Sequence, residues 1–313
     1  MSSLLMTALA GCGPAVPAQG AGATPAPPLA PATATRAPVL PRSMPFTVNA
    51  DEPARPVKRA AVAYLEALFT FGAGEGSLAA GRERMAALKL PVGPVTRAAG
   101  LLDGDAAGAI QVIYPQLGGL TADRASIMAV VRLSRQRGAE LVTRTRTVDV
   151  RLAKRAKGWT VTGLASLGGT APSDTKSGTP ARKVLASSRI VLPDSARWDV
   201  QSGRIDDRVL RMLLRLSREH RISVAVLASG HPAKVFGSMS TSNHTRGRAV
   251  DIWAIDGRRV AAHARDKGPN PARTLMETAI RYGSDEVGGP WAFRGAFTNT
   301  VHQDHLHIGF KRP

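Results

Sequence analysis

Two histidine-bearing motifs, far apart in the sequence, constrain the fold of this 313-residue chain most strongly. The first, residues 242–251, reads SNHTRGRAVD, and the second, residues 305–307, reads HLH. His244 and Asp251 offer one imidazole and one carboxylate, and a histidine of the second motif offers a third ligand. Three protein ligands leave a fourth position open for water, as in catalytic rather than structural zinc sites. The fold must therefore bring both motifs together around one ion, and the expected chemistry is metal-assisted hydrolysis.

The first motif is predicted to run through a turn into a β-strand. Residues 249–253, AVDIW, are apolar and β-prone. Side chains alternate along a strand, so Ala249 and Asp251 share one face while their neighbours point into a core. Gly247 lets the chain turn between His244 and this strand, where a side chain would be in the way.

The second motif is predicted to lie on a strand whose two histidines share one face. The alternate, apolar residues of this strand can pack into a core: Leu306, Ile308 and Phe310. Asp304 is a candidate general base, but a regular strand would direct it away from His305 and His307. It can serve only if the strand begins after it and the chain turns there. His305, already on the correct face, is the alternative base.

The pattern His-x-x-Gly-x-Ala-x-Asp followed by His-x-His resembles the zinc metallopeptidases of the D-alanyl-D-alanine carboxypeptidase superfamily. That group also includes murein endopeptidases, phage endolysin peptidases and hedgehog signalling domains. The resemblance covers the C-terminal part of the chain. It implies an α+β fold with a small antiparallel sheet, and zinc bound by His244, Asp251 and His307. It also implies an acid/base residue within 302–305 and hydrolysis of peptidoglycan stem peptides, by a carboxypeptidase or an endopeptidase.

The same resemblance suggests substrate contacts and shows one departure. Ser242 matches a residue common in relatives, and Arg246 and His302 are further candidate contacts. Relatives often carry an arginine in the turn after the preceding strand, where residues 229–232 read SGHP, so Lys234 or Arg246 would have to replace it. A second interpretation is a non-catalytic, zinc-containing binding module of the same fold, as the hedgehog comparison shows.

The N-terminus predicts export. Residues 1–12 form a short apolar run that ends in Leu-Ala-Gly-Cys and resembles a bacterial lipobox. Cys12 is the only cysteine of the chain, which argues for lipidation and against disulfides. Residues 13–45 are rich in Pro, Ala, Gly and Thr and are predicted to form a disordered tether. We therefore expect a lipid-anchored protein at the outer face of the cell membrane or in the envelope.

Residues 46–168 are predicted to form a separate small α+β domain. Helical spacing of apolar residues predicts a helix over 56–71, with Lys58 away from the apolar stripe, and a second helix over 78–88. Strands are predicted over 109–114, 126–133, 142–152 and 159–164. This element order loosely resembles the nuclear-transport-factor-like domains. The segment carries no catalytic constellation of its own.

The remaining residues are divided into a linker and the motif-bearing domain. Residues 169–183 are rich in Gly, Ser, Thr and Pro and are predicted to be the linker. The zinc metallopeptidase-like domain then spans 184–313. Its predicted elements are an amphipathic helix over 205–219, a buried strand over 222–228, a helix from the Asn270 cap to Gly283, and a strand over 305–310.

The net charge of the chain and its distribution limit the classes of molecule that it is expected to bind. The chain has 42 Lys and Arg against 23 Asp and Glu, so its formal net charge is +19. The basic residues are spread out and only 4% of residues are aromatic, whereas nucleic-acid binders normally show a concentrated basic stripe or stacking aromatics. We therefore predict no nucleic-acid partner. Cell-wall polymers and lipid head groups are the expected anionic partners.

Overall fold

A computed structural model describes residues 38–175 and 177–312 of the chain. The predicted lipobox with Cys12, and residues 13–37 of the predicted tether, lie outside the described residues. Residues 38–45 were also assigned to the tether, but the Leu40 amide donates to the Gln136 side chain (2.8 Å) and the Ile110 amide to Ser43 Oγ (3.2 Å). In the part of the chain that the structure describes, no helix is long and apolar enough to cross a membrane.

The described chain is a mixed α+β protein, in agreement with the predicted fold class. Its α-helices are α1 (Arg55–Phe69), α2 (Leu78–Ala87), α3 (Thr179–Ala186), α4 (Asp194–Gln201), α5 (Asp207–Leu216), α6 (Val260–His263) and α7 (Pro271–Arg281). Its strands are β1 (Ala107–Leu120), β2 (Arg124–Arg137), β3 (Glu140–Arg155), β4 (Gly158–Ser166), β5 (Ile190–Val191), β6 (Ile222–Val226), β7 (Ala249–Ile255), β8 (Arg258–Arg259), β9 (Glu286–Gly288), β10 (Ala296–Phe297) and β11 (Leu306–Gly309).

The first sheet is an antiparallel meander of β1 to β4, and α1 packs its apolar stripe against it. All four predicted strands are present, but each is longer than predicted. The period-2 pattern marked only the apolar centre of each strand, whereas polar and glycine residues continue the hydrogen-bonded ladder at the ends. Lys58 was predicted to lie away from the buried stripe of α1. It is fully buried, because two carboxylates on other parts of the chain enclose its ammonium group.

The second sheet has the order β10-β9-β11-β7-β6-β5, with β8 paired to β7. It was predicted to be antiparallel, but its two edge strands β10 and β5 run parallel to their neighbours β9 and β6. The strands β7 and β11 are antiparallel neighbours, and their register sets His307 directly opposite Asp251. Val250 and Ile252, on the other face of β7, are fully buried in the second core, as predicted. Side chains opposite each other on one face of an antiparallel pair lie about 5 Å apart at Cβ. The sheet itself therefore brings the two motifs together.

Both helices that were predicted in the second half are present, as α5 and α7, although α5 is shorter at each end than the predicted 205–219. The helices α4 and α6 were not predicted. The Asn270 side chain caps α7 by accepting from the amides of Ala272 (3.0 Å) and Arg273 (3.2 Å), and Gly283 ends it with φ +91°. The predicted linker, residues 169–183, is wrong in its second part. That part begins α3, which packs Ala181 and Val184 into the second core.

Buried polar and aromatic contacts join the two cores, so residues 38–312 form one compact unit. Thr147 Oγ1 on β3 donates to the carbonyl of Ala225 on β6 (2.6 Å). The rings of Tyr114 on β1 and Trp253 on β7 stack with centroids 4.7 Å apart. The four-stranded sheet is thus packed against the strand that carries Asp251.

Gly247 makes the turn between His244 and Asp251, the two candidate ligands of the first motif. Its φ is +68°, and a Cβ there would lie 1.9 Å from the carbonyl oxygen of Arg204. We predict that Gly247→Ala lowers the free energy of unfolding by about 3 kcal/mol, from strain and overpacking together. Gly257 has a similar φ of +79° but open space around it, so Gly257→Ala is expected to cost about 1 kcal/mol. Equal losses in denaturant unfolding would contradict the crowding at Gly247.

Candidate metal centre

Three side chains of the two motifs point their donor atoms at one another. His244 Nε2 lies 3.1 Å from Asp251 Oδ1 and 3.2 Å from His307 Nδ1, and the last two atoms are 3.0 Å apart. The three residues are buried. Donors of a tetrahedral zinc ion, at bonds of about 2.0–2.1 Å, lie about 3.3 Å from one another. The three atoms therefore have nearly the spacing of one face of a zinc coordination sphere.

Each of these three side chains also contacts a partner outside the cluster, which fixes its orientation. His244 Nδ1 donates to the backbone carbonyl of Leu227 (2.7 Å), which leaves Nε2 as the lone-pair nitrogen of the neutral ring. His307 Nε2 faces Glu286 Oε2 at 3.4 Å, and Gln116 Nε2 donates to Asp251 Oδ2 (2.8 Å). Metal ligands in proteins are typically oriented in this way by outer hydrogen bonds. The donor set and its outer partners both fit a divalent cation such as zinc.

The charges around the cluster also favour a cation. Burial acts to raise the pKa of Asp251, but the neighbouring His244 and His305 hold it well below its usual range. Burial likewise acts to raise the pKa of Glu286, and His307 lowers it to about 2. For His307, burial acts to lower the pKa, and the hydrogen bonds with Asp251 and Glu286 raise it to about 9. Two carboxylates thus stay charged here, and positive charge is stabilised between them.

His231 offers a different third ligand. His231, His244 and Asp251 each place one donor atom within 4.8 Å of the others, so this group could also hold a metal. The His231 ring, however, stacks on the His244 ring with centroids 4.0 Å apart and an angle of 12°. A metal lies close to the plane of each imidazole that binds it, and two nearly parallel stacked rings share no such position. His307, tilted by 59° to His244, satisfies this condition better.

The two candidate bases form a hydrogen-bonded pair beside the ligands. The strand β11 begins at Leu306, so Asp304 lies in the preceding turn and not on the strand. Its Oδ1 accepts from His305 Nδ1 (2.7 Å), and its Oδ2 accepts from Lys58 Nζ (2.6 Å) and the Leu117 amide (2.9 Å). Both Asp304 oxygens are therefore engaged. His305 Nε2 lies 3.8 Å from Asp251 Oδ2 and is the better placed base.

The cluster opens into a cavity of about 250 Å³ at the junction of the two sheets. Ser242 and His302, two of the predicted substrate contacts, line it together with His305. The third predicted contact, Arg246, is exposed and is not among the residues that line the cavity, because the turn before Gly247 directs it outward. The cavity lining also includes Leu117, Gly118, Gly119, Leu120, Met128, His231, Val235, Phe236, Asn243, Phe297, Asn299 and Val301.

Four residues that surround the site were not predicted from the sequence. Gln116, Lys58 and Glu52 come from the segment 46–168, to which no catalytic constellation was assigned, and Glu286 comes from β9. Of these four, only Lys58 had a signal in the sequence that could have revealed its position. Ala61 and Leu65 follow it by three and seven positions, so helical spacing places it on the buried stripe.

Comparisons of this chain with protein-family models, with curated proteins and with solved structures found no match.

Proposed function

We propose that the chain is a zinc-dependent peptidase that hydrolyses peptidoglycan stem peptides. One observation supports it above all: the donor atoms of His244, Asp251 and His307 meet within 3.0–3.2 Å beside His305, at the edge of an open cavity. The motif resemblance supplies the substrate class. As part of this proposal, residues 184–313 have the D-alanyl-D-alanine carboxypeptidase-like fold and residues 46–168 a nuclear-transport-factor-like fold.

The proposed reaction is hydrolysis of an amide bond. His244, Asp251 and His307 would hold the zinc ion, which when bound would polarise the scissile carbonyl and lower the pKa of a water molecule. His305 Nε2 accepts a proton from that water as the new carbon–oxygen bond forms. The same ring then returns a proton to the leaving nitrogen as the carbon–nitrogen bond breaks. Asp304 keeps Nδ1 of His305 protonated and its ring fixed. Ser242 and His302 are candidate contacts to the substrate from the cavity wall.

The cavity suits the end of a peptide. Its volume of about 250 Å³ is just below the roughly 300–1,000 Å³ of pockets that enclose whole small ligands. Its walls combine apolar side chains with imidazole and amide groups. A terminal residue of a stem peptide matches both the size and this mixture.

Purified, zinc-loaded protein incubated with muropeptides of defined structure tests the proposal. We expect mass spectrometry to show loss of a terminal residue for a carboxypeptidase, or a cut cross-link for an endopeptidase. A chelator should stop product formation and added zinc should restore it. His244→Ala should be inactive, whereas His220→Ala, which changes a histidine outside the cavity, should be unaffected. A fully zinc-loaded protein that leaves every muropeptide intact would refute the peptidase.

One observation favours the alternative, a zinc-containing module that binds cell-wall peptides without cleaving them. Among the described residues, those that line the cavity include no lysine or arginine to stabilise an oxyanion. If the chain is such a module, calorimetry should detect binding of the same muropeptides, and mass spectrometry should detect no product. The two functions therefore separate in one experiment, because both outcomes are read on the same zinc-loaded sample.

The proposed location is the outer face of the cell membrane, with a lipid on Cys12. Only the pattern of residues 1–12 supports this location. Two or more acyl chains would hold the protein at a membrane, where a single chain binds only weakly. The mass of the N-terminal peptide of the mature protein tests the anchor, since an unmodified Cys12 excludes it.

A further inference from the structure

A fully buried lysine connects the N-terminal half of the described chain to the proposed site. Lys58 lies on α1, and its Nζ donates to Asp304 Oδ2 (2.6 Å) and to Glu52. All three side chains have no exposed surface. A buried ammonium group is costly unless it is paired and hydrogen-bonded. Lys58 therefore does more than fill space, because its charge balances the carboxylates on either side of it.

The hydrogen bonds of Asp304 connect Lys58 to His305. Asp304 Oδ2 accepts from Lys58 and from the Leu117 amide, and Oδ1 accepts from His305 Nδ1 (2.7 Å). Lys58 and Leu117 thus fix the carboxylate from one side, and the imidazole meets its other oxygen. This arrangement leaves Nε2 of His305 facing the ligand Asp251 at 3.8 Å.

The other carboxylate that holds Lys58 is itself anchored. Tyr114 Oη donates to Glu52 Oε2 (3.0 Å), and the Arg259 guanidinium pairs with Glu52 and with Asp51. Arg259 follows β7, whereas Glu52 and Tyr114 belong to the first half of the chain. The Lys58 ammonium group is therefore held at a fixed distance from Asp304 by both halves of the molecule.

We propose that Lys58 is a positioning residue for His305, acting through Asp304. Lys58 keeps the Asp304 carboxylate in place, and that carboxylate holds the His305 ring with its proton on Nδ1 and its lone pair directed at the metal centre. The segment 46–168 thereby becomes part of the active site. This inference rests on the proposed hydrolase function, in which His305 is the base.

Lys58→Met tests the role kinetically, because it removes the charge while keeping a long side chain. Loss of an outer-shell partner typically costs 10–100-fold, so we expect kcat on a cleaved muropeptide to fall by about that factor. KM should stay within about twofold and zinc content should not change. The control is Arg59→Met, which makes the same change of charge at the adjacent, exposed position of α1 and should have no effect.

A double-mutant comparison separates positioning from a general structural role. If Lys58 acts through His305, adding Lys58→Met to His305→Gln should change the remaining rate by less than about twofold. If Lys58 had only a structural role, the fold-losses in rate from the two single substitutions would multiply in the double variant. Multiplied losses, at unchanged zinc content, would overturn the proposal.

A second readout needs neither activity nor metal. Nitrogen-15 NMR of the imidazole of His305, at alkaline pH, reports which ring nitrogen carries the proton. We expect Nδ1–H in the natural sequence and in Arg59→Met, and a mixture of the two tautomers in Lys58→Met. An unchanged tautomer in Lys58→Met would refute the positioning role. If no muropeptide is cleaved, the peptidase fails, but this measurement still decides the role of Lys58.

Lys58→Met leaves the buried Asp304 carboxylate without its ammonium partner, whereas Glu52 keeps Arg259, so the substitution is paired with a second variant. Asp304→Asn keeps Lys58 and Glu52 as a balanced pair and keeps the volume of the side chain. If Lys58→Met does not fold, Asp304→Asn decides instead. We expect it to keep its zinc and to show the mixed tautomer of His305, and an unchanged tautomer there overturns the proposal.

Discussion

Replacing His307 by alanine is expected to abolish zinc binding at concentrations that saturate the natural protein. The substitution removes one of the three donor atoms that meet within 3.0–3.2 Å, and it leaves Glu286 facing the gap. Losing an outer-shell partner already costs about 10–100-fold in metal affinity, and the loss of a ligand should exceed that. Metal analysis of the dialysed protein and calorimetric titration with zinc measure the effect.

His231→Ala is the matched control, because His231 also offers a nitrogen within 4.8 Å of His244 and Asp251. Its ring is nearly parallel to that of His244, and its Nδ1 contacts the carbonyl of Pro232 at 2.7 Å. We therefore expect His231→Ala to keep its zinc, with an affinity within about tenfold. If His231→Ala loses the metal and His307→Ala retains it, the ligands are His231, His244 and Asp251.

The proposed ligand triad came from the motif resemblance, and local sequence patterns agree with the placement of its members. The alternation of AVDIW sets Asp251 opposite to the core face, and the alternation of HLH sets both His305 and His307 opposite to it, so the choice of His307 came from the resemblance. Gly247 marked the turn between His244 and β7. Only the meeting of the two motifs was a long-range inference. The proposed shared ion required it, and the observed register of His307 opposite Asp251 agrees with it.

The surroundings of the triad could not be derived in the same way. Gln116 and Lys58 reach the site through the packing of one sheet against another, and no local period encodes such a contact. The role of Asp304 was also beyond prediction from the sequence, although Asp304 is adjacent to His305. The sequence placed it beside the histidines, but whether it acts as a base depends on what occupies its two oxygens. The occupants of Oδ2 are Lys58 and the Leu117 amide, both distant in sequence.

This arrangement makes the first half of the chain a structural part of the site. Leu117, Gly118 and Gly119 line the cavity, and Gly119 lies directly under the ring of Phe236, where an added Cβ would be 2.0 Å from Cγ. The cavity therefore depends on the contact between β1 and the loop that follows β6. We infer that the segment 184–313 alone would lack one wall of the cavity and the partners of Asp304 and Asp251.

Replacing His305 by glutamine is expected to separate the metal site from the chemistry. Glutamine has a similar reach but cannot accept a proton at neutral pH, so we expect kcat on a cleaved muropeptide to fall by about 10²–10⁴-fold. His305 contributes no atom to the face formed by His244, Asp251 and His307, and zinc content should stay at that of the natural protein. Single-turnover kinetics together with metal analysis give both quantities.

His302→Gln is the matched control within the same cavity. The His302 ring lies 5.0 Å from that of His305, but its Nδ1 contacts the amide oxygen of Asn299 and not a buried carboxylate. Burial and the neighbouring His305 and His307 hold the pKa of His302 well below its usual range, so it is a poor proton acceptor. We expect a loss below about tenfold. A larger loss for His302→Gln than for His305→Gln would transfer the base to His302. Full activity of His305→Gln would remove the imidazole from the mechanism altogether.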